Sequence, residues 1–241
     1  MPTFEIKLAN MLRLFLTILF FSINYYGFSQ IRYTEAEITF QSRHIWRGVK
    51  LGTAPAIEPS VTFSASRFSF NVWASATTNN SYSEIDLIPA YQFNKFQLTL
   101  LDYYNPVLGE TNQFLNFQQE HNRHSAELTI DNYSVEKQGL KWMIGTFLLG
   151  DKNEVTGNPN YSTYIEIKYP FSCLGIETEP FVGLTPFRGY YADQFAFVNT
   201  GISFSKELEL KLPFTIPLCL SFISNPNTKQ SFVTFATGIA F

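Results

Sequence analysis

Residues 207–222 read Glu-Leu-Glu-Leu-Lys-Leu-Pro-Phe-Thr-Ile-Pro-Leu-Cys-Leu-Ser-Phe, and every even-numbered position in the run is apolar. Side chains alternate across a strand with a period of two, so one face takes Leu208, Leu210, Leu212, Phe214, Ile216, Leu218, Leu220 and Phe222. The other takes Glu207, Glu209, Lys211, Pro213, Thr215, Pro217, Cys219 and Ser221. Strands of soluble proteins usually run to about five or six residues, whereas a strand crossing a bilayer needs about 9–11. The length of this run therefore points to a membrane strand.

The same alternation recurs along the chain. It predicts strands over 35–47, 56–66, 67–77, 84–93, 95–104, 120–130, 140–149, 161–171, 176–188, 195–205, 207–222 and 229–241. That is an even set, as single-chain bacterial barrels have. The connections sort into two classes. The segments 48–55, 78–83, 105–119, 150–160, 189–194 and 223–228 are rich in Asn, Gly, Pro and Thr; those centred on Ser66-Arg67, Asn94, 131–139, 172–175 and Ser205-Lys206 are mostly short. Short turns on one side and longer loops on the other are the habit of membrane barrels. A soluble sandwich would alternate too, but its solvent face would carry more Lys and Glu than this chain, with 15% charged and 17% aromatic residues, can supply. The expected fold is all-β: a transmembrane antiparallel up-and-down barrel of about 12 strands over residues 31–241. Pro59, Pro89 and Pro180 fall inside predicted strands and mark bulges or interrupted pairing.

Residues 12–23, Leu-Arg-Leu-Phe-Leu-Thr-Ile-Leu-Phe-Phe-Ser-Ile, form an apolar run too short to span a bilayer as a helix. Arg13 near its start and Gly27 and Ser29 after it fit a secretory signal peptide over 1–29, cleaved near Ser29 or Gln30. The final strand closes on Phe241, and a terminal aromatic resembles the signal read by the machinery that assembles outer-membrane barrels. Aromatics near strand ends (Trp46, Tyr82, Tyr103, Tyr104, Tyr161, Tyr169, Phe171, Tyr190 and Tyr191) are expected in the two interfacial girdles. The expected location is the outer membrane, with lipid and the assembly machinery as partners.

From Ile38 to Tyr104 the chain reads ITFQSRHIWRGVKLGTAPAIEPSVTFS, then FNVWAS, SEIDLIPAYQF and LLDYYNP. With Trp46-Arg47-Gly48 and Glu84-Ile85-Asp86, this stretch resembles the TorF-like family of outer-membrane porins of Gram-negative bacteria, conserved proteins without an established substrate. The resemblance covers about the first third of the exported chain and implies fold and location more than a cargo.

Inward parity gathers Glu37, Arg43, Arg47, Glu58, Arg67, Glu84, Asp86, Lys95, Arg123, Glu127, Lys141, Glu166, Lys168, Glu177, Glu179, Glu207, Glu209 and Lys211. Mixed charges of this kind either line a channel or neutralise one another in a filled lumen. Arg43, Arg47, Glu84, Asp86 and Arg123 are the expected lumen-lining contacts for small hydrophilic solutes or ions. The alternative is a non-conducting barrel whose outer loops bind a partner. Loop 105–119 would either fold inward as a constriction or cover the outer mouth.

Catalysis is not expected. A His and a Ser on one strand face need the spacing His-x-Ser, and Trp46, Arg123 and Ala126 stand two residues after His44, His121 and His124. His44 and His124 share the outward parity, and His121 with Glu120 or Glu127 makes a poor metal set. No cofactor or metal is expected. A net charge of −3 gives no footprint for nucleic acid. Cys173 in an inner turn and Cys219 on an inward position lie on non-adjacent strands, as isolated thiols or a pair.

Overall fold

The computed structural model describes residues 32–107, 109–116, 122–134, 139–153 and 155–241. The segment read as a signal peptide, together with Glu120 and His121, lies outside the described residues.

The elements are β1 (Arg32–Gln41), β2 (His44–Trp46), β3 (Val49–Leu51), β4 (Ala56–Ala65), β5 (Phe68–Thr77), β6 (Ser83–Gln92), β7 (Gln97–Tyr104), β8 (His124–Asp131), β9 (Lys141–Leu149), β10 (Thr163–Lys168), β11 (Phe171–Cys173), β12 (Ile176–Thr185), β13 (Ala196–Leu208), β14 (Ile216–Asn225) and β15 (Gln230–Ala240). Apart from β2 and β3, which form their own hairpin, all belong to one antiparallel sheet. The sheet closes because β10 pairs with β12 while β1 pairs with both β4 and β15. The short β11 continues the line of β10 along β12, so the barrel has 12 staves.

Its surface is inverted relative to a soluble domain. Side chains shielded from solvent are largely polar or charged, among them Glu58, Glu84, Asp86, Glu127, Glu166 and Asn199. Large apolar side chains face out: Ile38, Phe40, Ile57, Leu98, Leu128, Ile144, Ile167, Phe197, Leu220, Phe222, Val233 and Phe235. Closure and inversion answer one demand. Hydrocarbon offers no partner to a backbone N–H or C=O, so strands persist there only in an edgeless sheet with apolar groups outside. No helix of the described residues is long and apolar enough to cross a membrane, which says nothing of strands.

The strands differ from the sequence reading in particular places. β1 stops at Gln41 rather than continuing to Arg47, so the two arginines expected on that strand lie beyond it. The run 207–222 is not one strand: β13 ends at Leu208, residues 209–215 turn, and β14 begins at Ile216. Its parity survives in β14, where Leu220 and Phe222 face out and Ser221 faces in. Pro59 and Pro89 lack the N–H that the ladder needs, and the β4–β5 and β6–β7 pairings skip their positions. A register shift in the β12–β13 pairing, with Val198 as the unpaired residue, turns both Val198 and Asn199 into the barrel. Cys173 and Cys219 are both free thiols.

Aromatic side chains exposed at the ends of the wall include Tyr91, Phe93, Tyr161, Tyr169, Phe171, Phe187, Tyr190 and Phe195. Trp46, Tyr103 and Tyr191, expected in the girdles, instead pack together in the lumen.

Leu98, Ile130, Ile144, Ile165 and Leu184 are neighbours across five adjacent staves and form an outward apolar row. Ile144→Arg in that row is expected to lower stability by about 2–4 kcal/mol in lipid, the cost of a cation near the bilayer midplane. Urea unfolding of the barrel in vesicles checks this; an unchanged midpoint would remove the row from the hydrocarbon zone.

Candidate functional site

Between β1 and β4 the chain does not go straight from one stave to the next. It turns at Ser42, whose N–H donates to the Phe235 carbonyl at 2.8 Å, and forms the β2–β3 hairpin. Arg47 and Gly48 are its two turn residues, with φ of 49° and 77°. Positive φ at both central positions is the type I′ geometry favoured for two-residue hairpin loops. Glycine accepts it freely, whereas arginine is held in a conformation non-glycine residues seldom adopt. A Cβ at position 48 would also run into the Val198 carbonyl, so only glycine lets the tip approach β13 this closely.

The hairpin points into the barrel. Counting around the wall from β1, the opposite stave is β9; the Arg47 contacts lie on its neighbours β8 and β10 and in the loop between β12 and β13. Arg47 donates from NH1 to Glu127 Oε1 at 2.6 Å and from NH2 to Oε2 at 2.9 Å, and NH1 also reaches the Tyr191 hydroxyl at 2.6 Å. Its guanidinium lies 4.7 Å from the Trp46 ring centroid and 4.6 Å from that of Tyr164. Tyr103 donates to Glu127 Oε2 at 2.7 Å. Asn225, at the end of β14, donates to the Gly48 carbonyl at 3.3 Å. The tip is thus tied on two sides: the Arg47 side chain to β8 and β10 across the lumen, and the Gly48 backbone to β13 and β14, two or three staves from β1.

Glu127 is 0% exposed, and an ion pair so placed depends on bidentate geometry and on further donors to the carboxylate. Both are present. Burial would lower the affinity of Arg47 for its proton, but Tyr191, Glu127 and Tyr103 together outweigh it and hold the group above its ordinary range. Gly145 makes room for the carboxylate, since a Cβ there would collide with Glu127 Oε1. Around the pair pack Tyr103, Met143, Phe147, Tyr164, Tyr191, Ala192 and Val198, with Trp46 against them: an aromatic core inside the barrel. Trp46 meets Tyr103, Phe147 and Tyr190 edge-on at centroid distances of 5.9–6.2 Å.

At its root the hairpin is held by His44, whose Nδ1 lies 2.7 Å from Glu58 Oε1 and whose ring stacks on Tyr82. His44 therefore faces the lumen, against its expected outward parity, because it belongs to the hairpin and not to β1. Toward the short-turn end a second network follows. Lys168 Nζ lies 3.4 Å from Glu166 and 3.3 Å from Glu179, Lys141 lies 3.9 Å from Glu179, and Asn199 donates to Glu166 at 3.0 Å.

The five residues expected to line the lumen fall into different places. Glu84 and Asp86 face in from β6. Arg47 is in the lumen, but on the hairpin and paired. Arg43 sits half-buried where β1 gives way to the hairpin. Arg123 lies at the rim, 45% exposed, with NH2 3.1 Å from Glu110. The described part of loop 105–119 does not form an inward constriction. It lies over the outward side of β7 and β8, where Phe114 packs on Tyr104 and His124, and Tyr104 donates to Asn112 at 2.6 Å. His124 is held there between the Asp102 carboxylate, at 2.9 Å, and the Phe114 carbonyl, at 2.7 Å.

Glu127 was within reach of sequence parity, but Tyr103, Tyr164 and Tyr191 as its neighbours were not. The available signal was Arg47-Gly48 between His44-Ile45-Trp46 and Val49-Lys50-Leu51, a two-residue glycine-containing turn flanked by short apolar strands.

No family model matches the chain, and no curated protein matches it in sequence. Among solved structures, one from work on the in-meso crystallization of membrane proteins is similar over 87% of this chain and 83% of its own, with a TM-score of 0.50 at 7% identity. An outer membrane channel of Pseudomonas putida F1 is similar over 89% of this chain and 98% of its own, with a TM-score of 0.40 at 11% identity. The first likeness bears on the fold alone.

Arg47→Ala leaves the Glu127 carboxylate buried and unpaired, and is expected to cost about 3–5 kcal/mol. Arg47→Lys should restore only part of this, because an ammonium cannot make the bidentate contact. Unfolding in lipid vesicles and proteolysis within 42–55 report both effects. A stable Arg47→Ala barrel with an uncut hairpin would show that the pair does not hold the tip.

Proposed function

We propose that this chain is an outer-membrane channel, a porin of the TorF-like kind, exported by a cleaved signal over residues 1–29. It gives passive passage to small hydrophilic solutes or ions. The supporting observation is the chemistry of the lumen on the short-turn side of the hairpin. Thr62 and Asn71 lie on one side, Thr99 and Thr129 follow, and Ser203, Ser221 and Thr234 line the other, all small and polar and at inward positions. A barrel built only as a plugged anchor has no need of a wettable vestibule, whereas a channel needs polar walls leading to a narrow zone. In this reading the hairpin is the narrow zone, and its position sets what passes. In the same reading the barrel-assembly machinery and outer-membrane lipid are the chain's partners, with lipid covering the outward face.

Catalysis has no role in the proposal. Both described histidines are engaged structurally: His44 on Glu58, and His124 on Asp102 and the Phe114 carbonyl. A second reading, a closed barrel whose outer loops bind a partner, draws on the same hairpin, because its tip is tied to β8, β10, β13 and β14.

Single-channel recording of the refolded mature chain in a planar bilayer decides between them. The channel reading expects reproducible conductance steps in the wild type, larger steps in Arg47→Ala, and a changed ion preference when Arg43→Ala is added. A folded barrel that stays silent, with Arg47→Ala silent as well, would leave the closed-barrel reading standing.

A further inference from the structure

The charges of the lumen are not shared evenly around its wall. On the far side each cation has its anion: Arg47 with Glu127, Lys168 with Glu166 and Glu179, Lys141 with Glu179. The near side, formed by β1, β4, β5 and β6, is different. Register places Thr39, Glu58, Ser75 and Glu84 on one level, and Glu37, Ser60, Trp73 and Asp86 on the next. Of the four carboxylates, Glu58 meets His44, Glu84 accepts from Tyr82 at 2.6 Å, and Glu37 accepts from Thr39 at 2.7 Å. Among the described residues none of the four forms a salt bridge with a lysine or arginine.

Among the described residues two buried side-chain atoms at this wall have no hydrogen-bond partner, Asp86 Oδ1 and, on the hairpin, His44 Nε2; the two residues are only 5% and 7% exposed. Buried polar atoms are nearly always paired, so each orphan asks what satisfies it. Trp73 is the cross-strand neighbour of Asp86, and its ring centroid lies 5.6 Å from that of His44. Tyr82 stacks on the other side of His44 at 5.7 Å. Carboxylates beside aromatic faces form the acceptor set that recognises an ammonium group, with its several N–H donors and its attraction to ring faces; a bare divalent ion gains nothing from the rings and takes more oxygen ligands.

We propose that the β1–β4–β5–β6 wall binds a compact ammonium group at the level of Asp86 and Glu84, next to Trp73, and that this makes the channel select cationic solutes of that class. The ammonium donates to Asp86 Oδ1 and to the Glu84 carboxylate, which Tyr82 and Asn105 hold in place, and its third donor meets the lone pair of His44. Entry is from the short-turn side, where half-buried Trp73 and Ser60 border the vestibule. The selectivity rests on the channel reading above, whereas the site itself rests on the lumen geometry.

Equilibrium binding of labelled methylammonium to the detergent-solubilised, folded barrel tests the site. The wild type is expected to show saturable binding of one equivalent. Asp86→Asn and Glu84→Gln should each weaken it at least about tenfold, the scale of one lost charged hydrogen bond. Glu110→Gln, which removes an equal charge from the rim, should leave it unchanged. Heat-modified gel mobility verifies that each variant is folded, and Glu84→Gln serves if Asp86→Asn does not fold. No saturable binding in the wild type, or undiminished binding in both folded variants, overturns the proposal. Reversal potentials in a methylammonium chloride gradient then test passage separately. Binding without conductance would overturn the channel reading and leave the site; conductance without cation preference would overturn the assigned selectivity.

Discussion

Arg47 sits on the far side of the lumen from the strand that leads to it, and the long-loop end of the barrel is arranged around keeping its charge there. A guanidinium this far from water is tolerable only with a carboxylate in bidentate contact, and that carboxylate is tolerable only with its remaining lone pairs engaged. Glu127, Tyr103 and Tyr191 meet those two conditions. The glycines follow from the same demand: Gly48 lets the tip reach β13, and Gly145 leaves space for the Glu127 carboxylate. The aromatic cluster excludes water from around the pair, which strengthens it in turn. Polar groups satisfied by one another, and not apolar burial alone, fill this half of the interior.

The wall was legible in the sequence and the contents of the lumen were not. A period of two reports which face a side chain takes, and lipid makes that report strong because each outward position must be apolar. It does not report where a ladder ends. His44-Ile45-Trp46 continues the alternation of β1, although the backbone has already left the sheet at Ser42, so the pattern assigns two arginines and a histidine to a stave that ends before them. Leu210 and Leu212 likewise alternate in a turn, where both are about half exposed. A single unpaired residue is equally invisible: Val198 turns inward because the β12–β13 register shifts beside it. Long-range partners such as Arg47 and Glu127, 80 residues apart, are set by barrel closure, which no local pattern records.

Two kinds of polar economy coexist inside the barrel. On the far wall Arg47, Lys141 and Lys168 each meet a carboxylate, and these pairs hold the hairpin and link β9, β10 and β12. On the near wall Glu37, Glu58 and Glu84 meet hydroxyl, amide and imidazole groups, while Asp86 Oδ1 has no partner among the described residues. That difference makes the interior lopsided in its pairing, with cation–carboxylate pairs along one wall and carboxyl groups with no described lysine or arginine partner along the other.

The hairpin also has a mechanical meaning. A closed sheet resists stretching along its hydrogen bonds but flattens readily into an ellipse, since ovalising changes no pairing. A strand pair anchored at β1 and β4 and fastened near β9 is a cross-brace on one diameter at one end. The brace therefore makes the long-loop rim the stiffer of the two against lateral pressure.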